Sequence, residues 1–158
     1  MRTTIHKVFS PAIRIVVLMI ITTGVAYPLL VTAIGQTVLP IQSNGSQVVL
    51  NGKVVGSELI SQSFDSPKFF QPRNDSASGV DPDITPDSAI SQIPAISNAT
   101  GIPANALKTL VDLDIARNKE TNALVFAPDY VNVLNLNVEL VKQYPEVYAQ
   151  EISAKEVP

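Results

Sequence analysis

The chain has 158 residues, no cysteine, no tryptophan and one histidine, His6, with 11 basic and 14 acidic side chains and a net charge of −3. Disulfides, thiolate metal sites and cysteine nucleophiles are therefore excluded, and with its only histidine near the start the rest of the chain cannot build Ser-His-Asp catalysis or His-ligated zinc. Charge is unevenly divided: Arg2, Lys7 and Arg14 stand alone at the beginning, whereas residues 41–158 carry 8 basic against 14 acidic side chains, which argues against nucleic acid or an anionic lipid surface as a partner of that part.

Residues Ile15 to Gly52 contain no Asp, Glu, Lys or Arg, and the first 25 of them, through Leu39, are strongly apolar. As a helix, those 25 residues reach roughly 37 Å, enough to cross a ~30 Å hydrocarbon core with some tilt. A cleaved signal peptide has a shorter apolar core of about 7–15 residues. Basic residues beside a membrane segment stay in the cytoplasm, and the next charge after Arg14 is Lys53, so the N-terminus is expected inside. The expected organisation is a cytoplasmic stub over 1–14, a transmembrane helix over 15–39, an extracytoplasmic domain over 40–150 and a flexible tail over 151–158. The chain would cross the plasma membrane, a lipid bilayer, once.

Within the apolar helix, Gly24, Pro28, Thr32 and Gly35 share one face, with Tyr27 beside them. Small residues in a row let a second helix approach closely, where association rests on packing. Pro28 frees a backbone carbonyl, and Thr22 or Thr23, one turn earlier, is placed to help satisfy the exposed groups. Beyond the helix, Gln47–Val55 reads as a β-hairpin, because Asn51-Gly52 between β-branched runs suits a type I′ turn. Gly56-Ser57 then leads to a short helix expected from Glu58 to about Phe64. Residues 65–86 are rich in Pro, Gly and Asp, with Phe69 and Phe70 as buried anchors. Thr85-Pro86 is a helix start, with Asp87 favourable to the dipole, and Pro94 is expected to kink or divide that helix. Gly101-Ile102-Pro103 opens another helix, in which Leu107, Leu110, Val111 and Asp114 keep a 3.6 period. Residues 115–128 read as irregular. From Val131 a helix is preferred to a strand, with Asn132, Asn135, Glu139 and Lys142 opposite Val131, Leu134, Val138 and Val141. The fold class expected is α+β: one membrane helix, then a small domain with a hairpin and several helices.

Taken in order, these landmarks resemble one family, the C subunit of the Kdp-type potassium-transporting ATPase. The resemblance lies in Thr23-Gly24-Val25-Ala26-Tyr27-Pro28-Leu29, in Gln36, Pro40, Gln42 and Asn44-Gly45-Ser46, and in Val55-Gly56-Ser57-Glu58-Leu59-Ile60. It continues through Phe64, Lys68-Phe69-Phe70, Arg73, Ser78-Gly79-Val80-Asp81-Pro82-Asp83-Ile84-Thr85-Pro86 and Val131-Asn132-Val133-Leu134-Asn135-Leu136-Asn137, covering most of residues 15–140. It implies a subunit with no catalytic residues of its own, in a pump for high-affinity potassium uptake. Its implied partners are a channel-like potassium-translocating subunit, a P-type ATPase subunit and a small membrane subunit. The chain itself has neither a G-x-x-x-x-G-K-[ST] loop nor a D-K-T-G-T phosphorylation motif, so ATP would be split by another chain. The resemblance also implies an assembly role and a rise in ATP affinity, with ATP met through the ATPase subunit, no cofactor or metal bound by the chain, and K+ carried by the complex. Gln92 best matches a glutamine proposed in the family to contact nucleotide, although an outward-facing domain cannot meet cytoplasmic ATP. Gly24, Tyr27, Pro28, Thr32 and Gly35 are the implied membrane-docking residues, and Gln42, Asn44, Gly45 and Ser46 the partner contacts at the outer boundary. The chain departs from the pattern twice: only Asn74–Ser78 remains of a Gly/Ser/Asn-rich stretch after Arg73, and Ile93-Pro94-Ala95-Ile96 stands where an arginine usually follows the glutamine.

Other constellations read more plainly. Asp75, Asp81, Asp83 and Asp87 suit turns and caps; their functional alternatives are cation steering and hard-cation ligation through oxygens. Asn-X-Ser/Thr sequons begin at Asn44, Asn74 and Asn98 and fit an external domain. Ser46 and Lys53 have the composition of a Ser-Lys dyad but no oxyanion hole. The alternative function is a free-standing membrane-tethered binding or sensor domain. A self-sufficient core distinguishes that reading from a subunit, which leaves an apolar docking patch exposed.

Overall fold

The computed structural model describes residues 2–73, 75, 77–122 and 127–154, and the chain divides into two compact units, Met1–Gly45 and Ser46–Pro158. In the first unit, α1 (Arg2–Ile21) passes through one π turn (Thr22–Ala26) into α2 (Tyr27–Val38). The stretch Pro11–Val38 is long and apolar enough to cross a membrane. Proline explains the π turn. Pro28 has no N–H, and its ring crowds the carbonyl four residues back, at Gly24. Widening the turn, with the Tyr27 N–H donating to the Thr22 carbonyl, relieves that crowding without breaking the helix. The threonines do not turn toward the freed carbonyl: Thr22 and Thr23 donate to the carbonyls of Leu18 and Met19 at 2.8 and 2.7 Å. A short helix, α3 (Pro40–Ser43), completes the unit.

The second unit is α+β. Its hairpin pairs β1 (Gln47–Leu50) with β2 (Lys53–Ser57), antiparallel, with Val49 opposite Val54 and Leu50 opposite Lys53. Asn51 and Gly52 form the two-residue turn at φ 52° and 79°, the positive pair that a type I′ turn demands. No helix follows the hairpin. Residues 58–60 form a single turn, in which the Ser57 hydroxyl accepts from the Leu59 N–H and the Ser57 carbonyl from the Ile60 N–H. The chain then leaves the turn because the Ser61 N–H bonds to the Val80 carbonyl at 2.9 Å, and no helical i−4 partner remains for it.

Two-residue strands β3 (Asp83–Ile84) and β4 (Val131–Asn132) pair antiparallel and bring distant parts of the chain together. Helix α4 (Pro86–Thr100) begins at Thr85, whose hydroxyl accepts from the Ser88 N–H, and ends at Gly101 in the left-handed conformation, φ 75°. It is not divided at Pro94, because that proline and Ile90, whose carbonyl it frees, both lie on the exposed side. Helix α5 (Ala104–Asn122) overrides the irregularity expected after residue 115. Its continuation is favoured by Asn118, which donates to the Asp114 carboxylate and to the Tyr130 carbonyl. Helix α6 starts two residues later than the periodicity placed it, at Val133, and runs to Gln143, because Asn132 is its N-cap and accepts from the Asn135 N–H. Helix α7 (Pro145–Ala154) carries regular structure into the segment expected as a tail, and residues 155–158 lie outside the described residues.

The core gathers Phe70, Ile84, Ile93, Ile96, Leu107, Val111, Val131, Leu136, Leu140 and Tyr148. Phe70 is fully buried as expected, and Phe69 packs partly buried between the rings of Phe64 and Tyr148, at centroid distances of 5.3 and 5.0 Å. The hairpin meets this core closely at Gly56, where a Cβ would stand 3.0 Å from both Leu134 Cδ2 and Gln62 Cδ. Gly56→Ala should therefore lower the stability of the full chain by about 1–2 kcal/mol, as overpacking does. Urea titration in detergent would read this as an earlier midpoint, and an unchanged midpoint would show that the contact yields.

Candidate functional site

Three places concentrate the residues singled out in the sequence. The first is the helix face of the N-terminal unit. Gly24 lies within the π turn with no heavy atom within 4 Å of where its Cβ would be, and Tyr27 is 64% exposed. The Thr32 hydroxyl is folded back onto the Pro28 carbonyl at 2.8 Å, which keeps the surface there small and nearly apolar. Gly35 is different: a Cβ there would touch Ser43 of α3 at 3.7 Å, so part of its surface faces its own chain.

At the end of that unit, Gln42 and Asn44 are exposed, with the Asn44 amide donating to the Pro40 carbonyl at 2.7 Å. Gly45 and Ser46 both have positive φ, 83° and 48°. Ser46 is only 8% exposed, and its carbonyl accepts from the Glu58 N–H at 3.0 Å, so it closes the base of the hairpin. Ser46 and Lys53 stand at opposite ends of the hairpin ladder, roughly 13 Å apart at strand spacing, which removes a Ser-Lys dyad.

The second place is a set of exposed aliphatic side chains on the hairpin and in the turn after it. Val49 and Val54, which pair across the hairpin, and Leu59 and Ile60 in the following turn are each about half exposed or more. Val80, equally exposed, is tied to the residue after that turn through its carbonyl bond to the Ser61 N–H. The one acidic residue in this stretch, Glu58, has its carboxylate engaged by the Asn135 amide at 3.1 Å.

The third place is a set of amides and carboxylates between hairpin and helices. Asn132 is its centre: its side-chain NH2 donates to the Glu58 carbonyl and to Asp83 Oδ1, both at 2.9 Å, and its backbone N–H donates to Asp114 Oδ2 at 3.0 Å. Burial pushes the Asp114 carboxyl above its ordinary 3.8, even though bonds from Asn132 and Asn118 and the Arg117 charge pull it down. Burial also raises Asp83, opposed by the Asn132 bond and reinforced by the Asp81 charge. Tyr130 is raised by burial and by the charges of Asp83, Asp114 and Glu58. Asp81 accepts from the Asp83 N–H and pairs with Arg73 at 3.2 Å, Asp75 lies 3.7 Å from the same arginine, and Asp87 sits in the first turn of α4. Asp75, Asp81 and Asp87 thus serve an ion pair, a turn or a helix start, whereas Asp83 holds Asn132. Among the described residues no group of three or more acidic or histidine side chains could hold a metal.

Gln92, on α4, is half-buried, and both ends of its amide are occupied by the backbone of Gln71: Oε1 accepts from the N–H at 2.8 Å and Nε2 donates to the carbonyl at 3.2 Å. Asn137, on α6, does the same to Phe70, at 2.9 and 2.8 Å. Sequence reasoning missed Asn137, Asn132 and Asp114 as buried polar positions. The available signal was three asparagines spaced through the aliphatic run Val131–Asn137, which one solvent face cannot accommodate.

An apolar N-terminal helix, long enough to cross a membrane, joined to one small α+β unit defines the class of chain. The family model described as the K+-transporting ATPase, c chain, matches residues 9–75 and 74–142. Similar proteins include the potassium-transporting ATPase KdpC subunits of Staphylococcus haemolyticus, 31% identical over 83% of this chain and 96% of the relative, and of Burkholderia orbicola, 31% identical over 82% and 93%. That of Clostridioides difficile is 27% identical over 86% and 97%. The chain belongs to the KdpC family. The alignment with the staphylococcal protein runs to 184 positions against a chain of 158 residues, so the relative carries residues that are missing here. The two family-model segments meet at residues 74–75, within the region where the resemblance leads one to expect a longer Gly/Ser/Asn-rich stretch.

The raised carboxyls set a pH dependence. A carboxyl whose pKa is higher in the folded than in the unfolded state makes the folded chain bind more protons, so its contribution to stability is complete below the ordinary 3.8 and is lost as pH rises through the folded value. The full chain should gain stability from Asp83 and Asp114 on acidification from pH 7 toward 4. Asp114→Asn, which keeps an acceptor for Asn132 and Asn118, should raise the unfolding midpoint at pH 7 and flatten this dependence. A variant less stable at pH 7 with the slope unchanged would refute the assignment.

Proposed function

We propose that the chain is the accessory subunit of an ATP-driven, high-affinity potassium uptake pump. It is a single-pass protein of the plasma membrane, with its N-terminus in the cytoplasm and its C-terminal unit outside. Its work is contact: it assembles or stabilises the channel-like and P-type ATPase subunits, beside the small membrane subunit, and leaves hydrolysis to the ATPase subunit. K+ is carried by the complex. Any rise in ATP affinity is transmitted through the partner, since an external unit does not meet cytoplasmic ATP.

The observation that carries this reading is the match to the K+-transporting ATPase c-chain family, in a chain that leaves Val49, Val54, Leu59, Ile60 and Val80 exposed around the hairpin and the segments beside it. A subunit covers such side chains on assembly, whereas a free-standing tethered domain leaves them in water. The orientation is supported by Arg2, Lys7 and Arg14 on one side of an apolar segment that meets no further charge until Lys53. In the membrane, docking falls to the face of Gly24, Tyr27, Pro28 and Thr32, with Gly35 at its end; at the outer boundary, to Gln42, Asn44, Gly45 and Ser46.

Tagged full-length chain, extracted from native membranes in gentle detergent, should bring down a channel-like protein and a P-type ATPase. Gly24→Leu should cut that recovery severalfold while the chain still fractionates with membranes, because nothing in the chain itself crowds that position. Val54→Asp and Ile60→Asp should do likewise at little cost to folding, both sites being exposed. Full recovery with all three variants would remove both docking surfaces from the proposal.

A further inference from the structure

The segment Lys68–Gln71 belongs to no sheet or helix, yet its backbone is held by side chains of three helices. Tyr148 of α7 donates to the Lys68 carbonyl at 2.9 Å, Asn137 of α6 takes both polar groups of Phe70, and Gln92 of α4 takes both polar groups of Gln71. Each amide stands in for one rung of a missing neighbouring strand, offering an acceptor to the N–H and a donor to the carbonyl. Asn137 is 2% exposed, so the Phe70 peptide cannot turn to water instead.

We infer that Gln92 is a positioning residue, paired with Asn137 in a two-amide clamp on Phe70 and Gln71, and that any effect it has on the pump passes through this segment rather than through contact with nucleotide. The inference rests on the reading of the chain as a pump subunit. Three observations carry it. Both polar ends of the Gln92 amide are already used, so a nucleotide could engage it only by stripping the Gln71 peptide of its partners. The residues directly after it, Ile93-Pro94-Ala95-Ile96, offer no cation to a phosphate chain, and Arg73, two residues beyond Gln71, pairs with Asp81 at 3.2 Å. The clamp also grips the chain shortly before residues 74–75, where the two family-model segments meet, so it fixes the base from which the following connection departs.

The test uses matched isosteres in the full-length chain. Gln92→Glu and Asn137→Asp each keep the acceptor and remove the donor. Thermal unfolding of the chain is followed in detergent, and the KM for ATP is measured in the reconstituted pump. The clamp predicts that both variants lower the melting temperature by several degrees and that their ATP KM values move together, staying within about twofold of each other. A severalfold rise in KM confined to Gln92→Glu, with melting unchanged, would overturn the inference in favour of a nucleotide contact. Unchanged melting of both variants would overturn it as well. If the unmodified chain does not join a pump at all, the subunit reading fails, while the melting comparison still decides whether the clamp exists.

Discussion

Buried backbone groups must find partners, and in the C-terminal unit the sheets are too small to supply them. The β3–β4 pair contributes two residues from each strand, and the chain around it runs long distances without a ladder. Carboxamides fill the gap. Asn132 ties the turn after the hairpin to β3 and α5, Asn137 and Gln92 hold Phe70 and Gln71, and Asn118 fastens α5 to the Tyr130 carbonyl. An amide suits this work because it donates and accepts from one planar group and carries no charge to desolvate. In a unit with no disulfide, these side chains connect the aromatic segment, the hairpin and the helices where packing alone would leave orphaned peptides.

The same network carries the unit's one electrostatic tension. Asp114 lies 6% exposed, accepting from two amide donors while Arg117 supplies only a more distant charge. Neutral donors compensate a buried carboxylate less than a cation does, so burial prevails and the carboxyl is raised. Asp75, Asp81 and Asp87 resolve differently, since Arg73 reaches the first two and the third sits in the first turn of α4. One acidic composition therefore yields paired or helix-capping carboxylates in the turn-rich region and carboxyls raised by burial beside Asn132.

Local signals in the sequence were read correctly where a few neighbouring residues decide the outcome. Asn51-Gly52 makes the hairpin turn, Thr85-Pro86 starts α4, and Leu107, Leu110 and Val111 face the core at helical spacing. The misreadings occur where a distant partner intervenes. Glu58-Leu59-Ile60 is helical by pattern but is drawn off by Val80, and Asn132 fits a solvent face until Asp83, Asp114 and the Glu58 carbonyl surround it. The Gln92 and Asn137 contacts span 21 and 67 residues of sequence, beyond any periodicity. The small-residue face of the apolar helix follows from local spacing, whereas Val80 comes beside the turn after the hairpin only through the fold.

The apolar helix, the hairpin and its turn lie within the first family-model segment, residues 9–75, and Val80 lies in the second, just past the point where the two meet. On both sides of that point the backbone is independently fastened: before it by the clamp on Phe70 and Gln71, after it by the Ser61–Val80 bond and by Asp83 in β3. Arg73 joins the two sides through Asp81. A connection anchored at both ends can lose length with little change in closure entropy, since that cost varies only slowly with the number of residues. The length of this connection can therefore change while the contacts of Phe70 and Gln71 stay as they are.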